Sequence, residues 1–174
     1  MNSGNILEKL VGYDTVSRNS NMDLMNFVSR LLSDHGIEST LIPNSDSSKA
    51  NLFATVGPKD VGGVILSGHT DVVPVDNQAW TKPAFKLTRS DGKYFGRGTA
   101  DMKGFVACAI SAILNASSLP LKVPLHIALS YDEEIGCQGV GSLIKLLTDN
   151  PIRPVMCIVG EPTNLAVATG HKGK

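Results

Sequence analysis

Hydrophobic residues in the first part of the chain recur with the spacing of two helices and two short strands. Residues 21–35 have apolar side chains at the i, i+3, i+4, i+7 and i+8 positions of an amphipathic helix, and residues 5–13 predict a shorter helix. The apolar positions in the longer helix are Leu24, Phe27, Val28, Leu31 and Leu32. Strands are predicted over residues 37–42 and 51–56, with a polar, turn-rich loop over residues 43–50 between them.

The rest of the chain alternates between apolar runs and helical patterns. The predicted elements are a strand over 64–67, a hairpin over 85–88 and 93–95, a helix over 102–116, a strand over 125–131, a helix over 139–149 and a strand over 155–160. This alternation predicts an α/β fold with a mainly parallel, doubly wound sheet and helices on both faces. Residues 166–174 are predicted to begin a further strand, and we expect the chain to be part of a longer domain.

Composition narrows the class of protein and its partners. With 42% hydrophobic and 18% charged residues, the chain is expected to form one globular domain. Lys plus Arg equals Asp plus Glu, at 16 each, so neither nucleic acid nor a membrane is expected as a partner. Cys108, Cys137 and Cys157 form no C-x-x-C pair and are predicted to be small buried residues in a reducing compartment. The N-terminus lacks the apolar core of a secretory signal, and a cytoplasmic location is expected.

Six side chains with metal-binding or acid-base chemistry follow predicted strand ends or open a predicted helix. They are His69, Asp71, Asp101, Glu133, Glu134 and Glu161. In a doubly wound sheet the ligand crevice lies at the carboxyl ends of the strands. Carboxylates crowded there would repel one another, so a divalent cation is their natural partner. Mixed nitrogen and oxygen ligands indicate zinc, with cobalt or manganese as possible substitutes.

Each of these residues taken alone has an ordinary interpretation. A histidine at a strand end is more often a hydrogen-bonded core or surface group, and adjacent glutamates occur in many solvated loops. Asp101 would by default be a helix N-cap, and Glu161 before Pro162 would be a loop residue. The hypothesis of a metal site therefore depends on all six residues occurring together.

Four stretches of the sequence carry a resemblance to a known enzyme family. They are Ser67-Gly-His-Thr-Asp-Val-Val-Pro74, Gly96-Arg-Gly-Thr-Ala-Asp-Met-Lys-Gly104, Asp132-Glu-Glu134 and Gly160-Glu-Pro162. In this order they resemble the co-catalytic zinc aminoacyl hydrolases, which include acetylornithine deacetylases, succinyl-diaminopimelate desuccinylases, aminoacylases and carboxypeptidases. Within this family the chain looks most similar to acetylornithine deacetylases.

The resemblance implies a role for each of the six residues. His69 and Glu161 would bind a first zinc ion, and Asp101 would bridge two zinc ions. Glu134 would bind the second ion. Cobalt could replace zinc. Asp71 would orient the His69 imidazole, as carboxylates behind metal-bound histidines do. Glu133 would be the general base toward the attacking water.

The implied activity is hydrolysis of the linear amide of an N-acyl amino acid. The resemblance favours N2-acetylornithine, giving ornithine and acetate in arginine biosynthesis, by a homodimeric full-length enzyme. Two alternatives remain open: a non-catalytic truncated homologue, and the same chemistry on succinyl-diaminopimelate or a dipeptide.

Part of the family pattern is not found in the sequence. The family has a second histidine ligand far downstream and an inserted lid or dimerisation domain, so residues 1–174 are expected to be the N-terminal portion of the metallohydrolase catalytic domain. His35 is expected to face solvent and His126 to lie in the core, and His171 is not expected to replace the missing ligand. Three cations could contact a substrate carboxylate, although solvated or ion-paired roles are commoner. They are Arg97, Lys103 and Lys172.

Overall fold

The computed structural model describes residues 1–170, which form four helices and seven strands. The helices are α1 (Ser3–Val11), α2 (Met22–Ser33), α3 (Lys103–Ala116) and α4 (Gly141–Asp149). The strands are β1 (Ser39–Pro43), β2 (Ala50–Val56), β3 (Val64–His69), β4 (Thr88–Ser90), β5 (Lys93–Phe95), β6 (Leu125–Ser130) and β7 (Met156–Val159). Each helix and strand predicted before residue 160 is present, with ends shifted by a few residues. The strand predicted from Ala166 is wrong over residues 166–170, and residues 171–174 lie outside the described part.

Five of the described strands form one sheet in the order β1-β2-β6-β3-β7. β3 pairs in parallel with both β6 and β7, whereas β2 pairs antiparallel with β6 and with β1. Four strands of this sheet therefore run in one direction, and β2 runs against them. β4 and β5 form a separate hairpin. The predicted mainly parallel sheet is confirmed. β2 is its antiparallel strand because the connections before and after β2 are short, whereas parallel neighbours need a long crossover.

Helices cover both faces of the sheet, as predicted. α1, α2 and α3 lie on one face, where α3 buries Val106, Ile110 and Ile113 completely. α4 lies on the opposite face, where Leu143 packs against Ile65 and Ala128. The apolar stripes of α2, α3 and α4 thus face the sheet, and α1 packs mainly on α3. Burying its apolar stripe is what stabilises an amphipathic helix.

The parallel strands place the ends of three segments at one edge of the sheet. β3 lies between β6 and β7, with His69 opposite Ser130 and Ser67 opposite Val159. The segments that follow β3, β6 and β7 therefore emerge side by side. This register brings the segments that follow residues 69, 130 and 159 to one place.

The structure corrects the prediction that the cysteines are buried. All three are exposed: Cys108 on the outer side of α3, Cys137 in the loop after β6, and Cys157 in β7. Every residue of β7 is exposed because this strand forms an edge of the described sheet. Among residues 1–170, no helix combines the length and apolar character needed to cross a bilayer.

Candidate metal centre

The His69 imidazole is buried at the end of β3 and is held from one side by Asp71. Its Nδ1 lies 2.9 Å from the Asp71 carbonyl oxygen and 3.5 Å from the Asp71 carboxylate atom Oδ1. A proton on Nδ1 satisfies this hydrogen bond and leaves Nε2 as the ring nitrogen with a free lone pair. Asp71 therefore fixes the tautomer in which Nε2 can bind a metal.

Three carboxylates lie around Nε2 of His69. Nε2 is 3.0 Å from Oδ1 of Asp101, 3.8 Å from Oε2 of Glu133 and 3.8 Å from Oε1 of Glu161. Potential ligand atoms of His69, Asp101 and Glu161 all lie within 4.8 Å of one another. One imidazole nitrogen and two carboxylate oxygens at this separation are a donor set that fits zinc.

The charges at this edge of the sheet are unbalanced without a cation. Burial lowers the pKa of His69, but the hydrogen bond and charge of Asp71, together with the charge of Glu161, outweigh burial and raise it to about 9. Burial and the negative charge of Asp101 raise the pKa of both Glu134 and Glu161 above its ordinary value. Burial and mutual repulsion disfavour the ionised forms of these crowded acids. A bound cation would stabilise those ionised forms.

Glu134 and Asp101 occupy positions that the sequence did not fully anticipate. Glu134 is placed near the group by its backbone N–H, which donates to Oδ2 of Asp71 at 3.2 Å, but it does not join the compact set of three ligands. α3 begins at Lys103, and its N-cap residue, Met102, makes no side-chain cap. The default interpretation of Asp101 as an N-cap is therefore wrong, since its carboxylate faces His69 instead, with Oδ1 3.0 Å from Nε2.

A cavity of about 170 Å³ opens beside these residues. His69, Glu133 and Glu161 line it, and Met102 and Val159 contribute apolar wall. A recess with a few polar side chains in a partly apolar wall is typical of a site for a small molecule. The site thus combines a set of metal-binding atoms with a recess for a small molecule.

Asp71 connects more of the site than the sequence indicated. It is 2% exposed and accepts hydrogen bonds from Ser17 Oγ at 2.7 Å, from the Glu133 N–H at 3.1 Å and from the Glu134 N–H at 3.2 Å. Burial raises its pKa, but the hydrogen bonds from His69, Ser17 and Glu133 outweigh burial and hold it below the ordinary value. Ser17 was missed because it lies 54 positions from Asp71 in the sequence.

A largely buried ion pair beside the site was also missed. Lys49 Nζ lies 2.5 Å from Oδ1 of Asp132, and the two side chains are 14% and 12% exposed. Lys49 also donates to the backbone oxygen of Ser17. Asp132 has a left-handed backbone, with φ of 56°, immediately before the glutamate pair. This ion pair joins the start of β2 to the loop that carries Glu133.

We expect the Lys49–Asp132 pair to contribute measurably to stability. A double-mutant cycle of Lys49→Met and Asp132→Asn should give a coupling free energy of about 1–2 kcal/mol, because both side chains are shielded from water. The exposed Lys145–Asp149 pair is the control, and its coupling should be about 0.4 kcal/mol. Urea unfolding of all the variants measures both values, and equal coupling in the two pairs would contradict the expectation.

Two cations considered for substrate binding are engaged elsewhere. Lys103 is completely buried, and its Nζ donates to the carbonyl oxygens of Leu10 at 2.9 Å and Tyr13 at 2.8 Å. Burial lowers the pKa of Lys103 to about 7, against the opposing charges of nearby acids. Arg97 donates to Oε1 of Gln78 at 2.7 Å. Both side chains hold local structure.

The other histidines lie away from the site or, like Lys172, outside the described residues. His35 is exposed, as expected. His126 is only half-buried, hydrogen-bonded to Thr55 at 2.8 Å and stacked on Phe53. His126 thus contacts its neighbours in the sheet. His171 and Lys172 lie outside the described residues.

The fold is shared with solved metallopeptidase structures. An M20 family metallo-carboxypeptidase from Sulfolobus solfataricus superposes with a TM-score of 0.79 at 19% identity, over 91% of this chain and 37% of that chain. Human carnosine dipeptidase 1 superposes with a TM-score of 0.71 at 23% identity, over 85% of this chain and 35% of that chain. At these identities the likeness shows the fold.

Sequence comparison identifies the family. The chain is 43% identical over 155 residues to an acetylornithine deacetylase from Pasteurella multocida (strain Pm70), which covers 88% of this chain and 40% of that protein. The chain thus spans less than half the length of this relative. Residues 65–172, which contain all six candidate site residues, match the peptidase family M20/M25/M40. The chain therefore belongs to the peptidase family M20/M25/M40.

Proposed function

We propose that the complete gene product is a zinc-dependent hydrolase that cleaves N2-acetylornithine to ornithine and acetate, a reaction of arginine biosynthesis. The observation that carries the proposal is the grouping of His69, Asp101 and Glu161 at the carboxyl edge of the sheet. The 43% identity to an acetylornithine deacetylase supports the choice of substrate. A cytoplasmic location and a homodimeric assembly are part of this proposal.

His69, Asp101 and Glu161 would hold the first zinc ion. The fit is supported by the imidazole tautomer that Asp71 fixes and by the carboxylates that surround Nε2. Asp101 would also face a second ion, to which Glu134 would contribute. When bound, zinc supplies Lewis acidity, which polarises an acyl oxygen and lowers the pKa of water.

Glu133 is the residue we assign as general base. Its carboxylate lines the cavity, and its Oε2 lies 3.8 Å from Nε2 of His69, so it faces the same space as the metal-binding atoms. It would take a proton from the attacking water and pass it to the leaving amine. Its backbone N–H is fixed on Asp71, so the carboxylate is carried by a segment of defined position.

The second metal site is not completed by the described residues. Within residues 1–170 the compact ligand group consists of His69, Asp101 and Glu161, so the second site would take only Glu134 and the shared Asp101 from these residues. Its remaining ligand and the contacts that select the amino-acid end of the substrate would come from elsewhere in the complete gene product. We infer that this chain supplies the N-terminal portion of the catalytic domain.

Amine release from three substrates tests the proposal. The complete gene product, stripped of metal by a chelator and reloaded with zinc, should hydrolyse N2-acetylornithine with kcat/KM at least about tenfold above N-succinyl-diaminopimelate or a dipeptide. The stripped protein should be inactive. Preference for either of the other substrates would contradict the substrate assignment. No turnover of any of them after reloading would favour a non-catalytic homologue.

A further inference from the structure

The short stretch between α1 and α2 is built into the edge of the candidate metal centre. Val16 forms a parallel bridge with Val72. The Ser17 N–H donates to the Val72 carbonyl oxygen at 3.2 Å, and the Val72 N–H donates to the Thr15 carbonyl oxygen at 3.1 Å. Thr15 Oγ1 donates to the Thr70 carbonyl oxygen. Residues 15–17 therefore extend the structure that follows β3, and the position of Ser17 is fixed by backbone hydrogen bonds.

This position directs the Ser17 hydroxyl at the Asp71 carboxylate. Ser17 is 6% exposed and Asp71 is 2% exposed, and Ser17 Oγ donates to Oδ2 of Asp71 at 2.7 Å. The same carboxylate accepts from the backbone N–H groups of Glu133 and Glu134 and lies 3.5 Å from Nδ1 of His69. A buried carboxylate that loses one donor is left under-satisfied, and it shifts to recover a partner.

A second contact links the same stretch to the loop that carries the glutamates. Lys49 Nζ donates both to the Ser17 carbonyl oxygen and to Oδ1 of Asp132, the residue directly before Glu133. The stretch is thus attached to the glutamate loop through its backbone as well as through its hydroxyl. Of these two attachments, only the hydrogen bond from the Ser17 hydroxyl to Asp71 involves the Ser17 side chain.

We propose that Ser17 is a positioning residue of the metal centre: its hydroxyl fixes Asp71, and through Asp71 it fixes both the His69 imidazole and the Glu133–Glu134 backbone. The consequence for metal affinity rests on the proposed function. The positioning itself is a property of the metal-free chain. Under this proposal the linker between α1 and α2 is part of the site, although it contributes no metal ligand.

Amide hydrogen exchange of the metal-free chain tests the positioning directly. In Ser17→Ala, exchange at the Glu133 and Glu134 amides should be about tenfold faster after correction for global stability measured by urea unfolding. Thr15→Val is the matched control, because it removes a buried hydroxyl from the same stretch that bonds to Thr70 and not to Asp71. Its effect at the two amides should stay within about twofold. Ser17→Thr keeps the hydroxyl and should restore the wild-type rates.

Zinc affinity provides the second measurement. Ser17→Ala should bind zinc about tenfold more weakly than the wild-type chain, whereas Thr15→Val and Ser17→Thr should bind normally. Equal exchange at the two amides in Ser17→Ala and Thr15→Val would overturn the proposal, and so would unchanged zinc affinity in Ser17→Ala. A wild-type chain that binds no zinc would count against the proposed function instead, and the exchange rates would still decide the role of Ser17.

Discussion

Glu133→Gln in the complete gene product is expected to lower kcat by about 10²–10⁴-fold while zinc content is unchanged. The amide keeps the size of the side chain but accepts no proton from the attacking water. Glu133 lies outside the group of His69, Asp101 and Glu161, so the substitution leaves these ligands in place. Its backbone N–H on Asp71 is also retained. Steady-state kinetics and metal analysis of the same preparation measure the two effects separately.

Glu38→Gln is the matched control for this prediction. Glu38 is an exposed residue that lines a separate cavity with Pro58 and Pro124, near the start of β6 and away from the metal-binding side chains. The kcat of the Glu38→Gln enzyme should equal the wild-type value. A Glu133→Gln enzyme that keeps its turnover within about threefold would remove Glu133 from the role of general base.

Gly139→Ala is expected to destabilise the chain by about 3 kcal/mol. A Cβ at this position would lie 2.1 Å from the Tyr131 carbonyl oxygen and 2.6 Å from the Tyr131 ring. The carbonyl cannot move away easily, because Tyr131 lies between the end of β6 and the left-handed residue Asp132. The Gly139 carbonyl also accepts a hydrogen bond from the buried Asn51 side chain at 2.8 Å. Urea unfolding of the metal-free chain measures the loss.

Gly141→Ala, two residues along, is the control for the glycine prediction. No atom lies within 4 Å of a Cβ at Gly141, which is the first residue of α4. Alanine there should be neutral or stabilise the chain by up to about 1 kcal/mol through its helix propensity. Equal loss of stability in the two variants would show that the close approach of Gly139 to Tyr131 does not limit the fold.

Local pattern was sufficient to predict the helices and strands before residue 160 and the edge of the sheet at which the candidate site residues meet. The apolar period of residues 21–35 and the short apolar run before His69 each correspond to an element of the structure. The rule that parallel strands present ligands at their carboxyl ends places His69, Glu133 and Glu161 at one edge, and the structure brings them together there. These features depend on residues that are near one another in the sequence or on a general property of the fold.

Features that depend on long-range packing were not predictable in the same way. The Ser17–Asp71 and Lys49–Asp132 contacts join residues 54 and 83 positions apart. The peptide bond between Asp101 and Met102 is cis, and nothing in the sequence indicates this, since cis bonds are rare where proline does not follow.

Burial of polar and reactive side chains was also misjudged. The lysine in the Met-Lys-Gly motif is completely buried because the carbonyl groups of Leu10 and Tyr13 accept from its ammonium group. Cys157 is exposed because β7 lies at an edge of the described sheet. Both outcomes depend on how distant elements meet, which residue type and spacing do not specify.

Calorimetric titration of the metal-stripped 174-residue chain with zinc tests the central claim most directly. We predict one tightly bound zinc ion per chain, lost in His69→Ala and in Asp101→Ala and retained in Glu133→Gln. Circular dichroism of each variant verifies that it is folded. No specific zinc binding by the folded wild-type chain, or tight binding that persists in both His69→Ala and Asp101→Ala, would contradict the assignment of these residues as a metal centre.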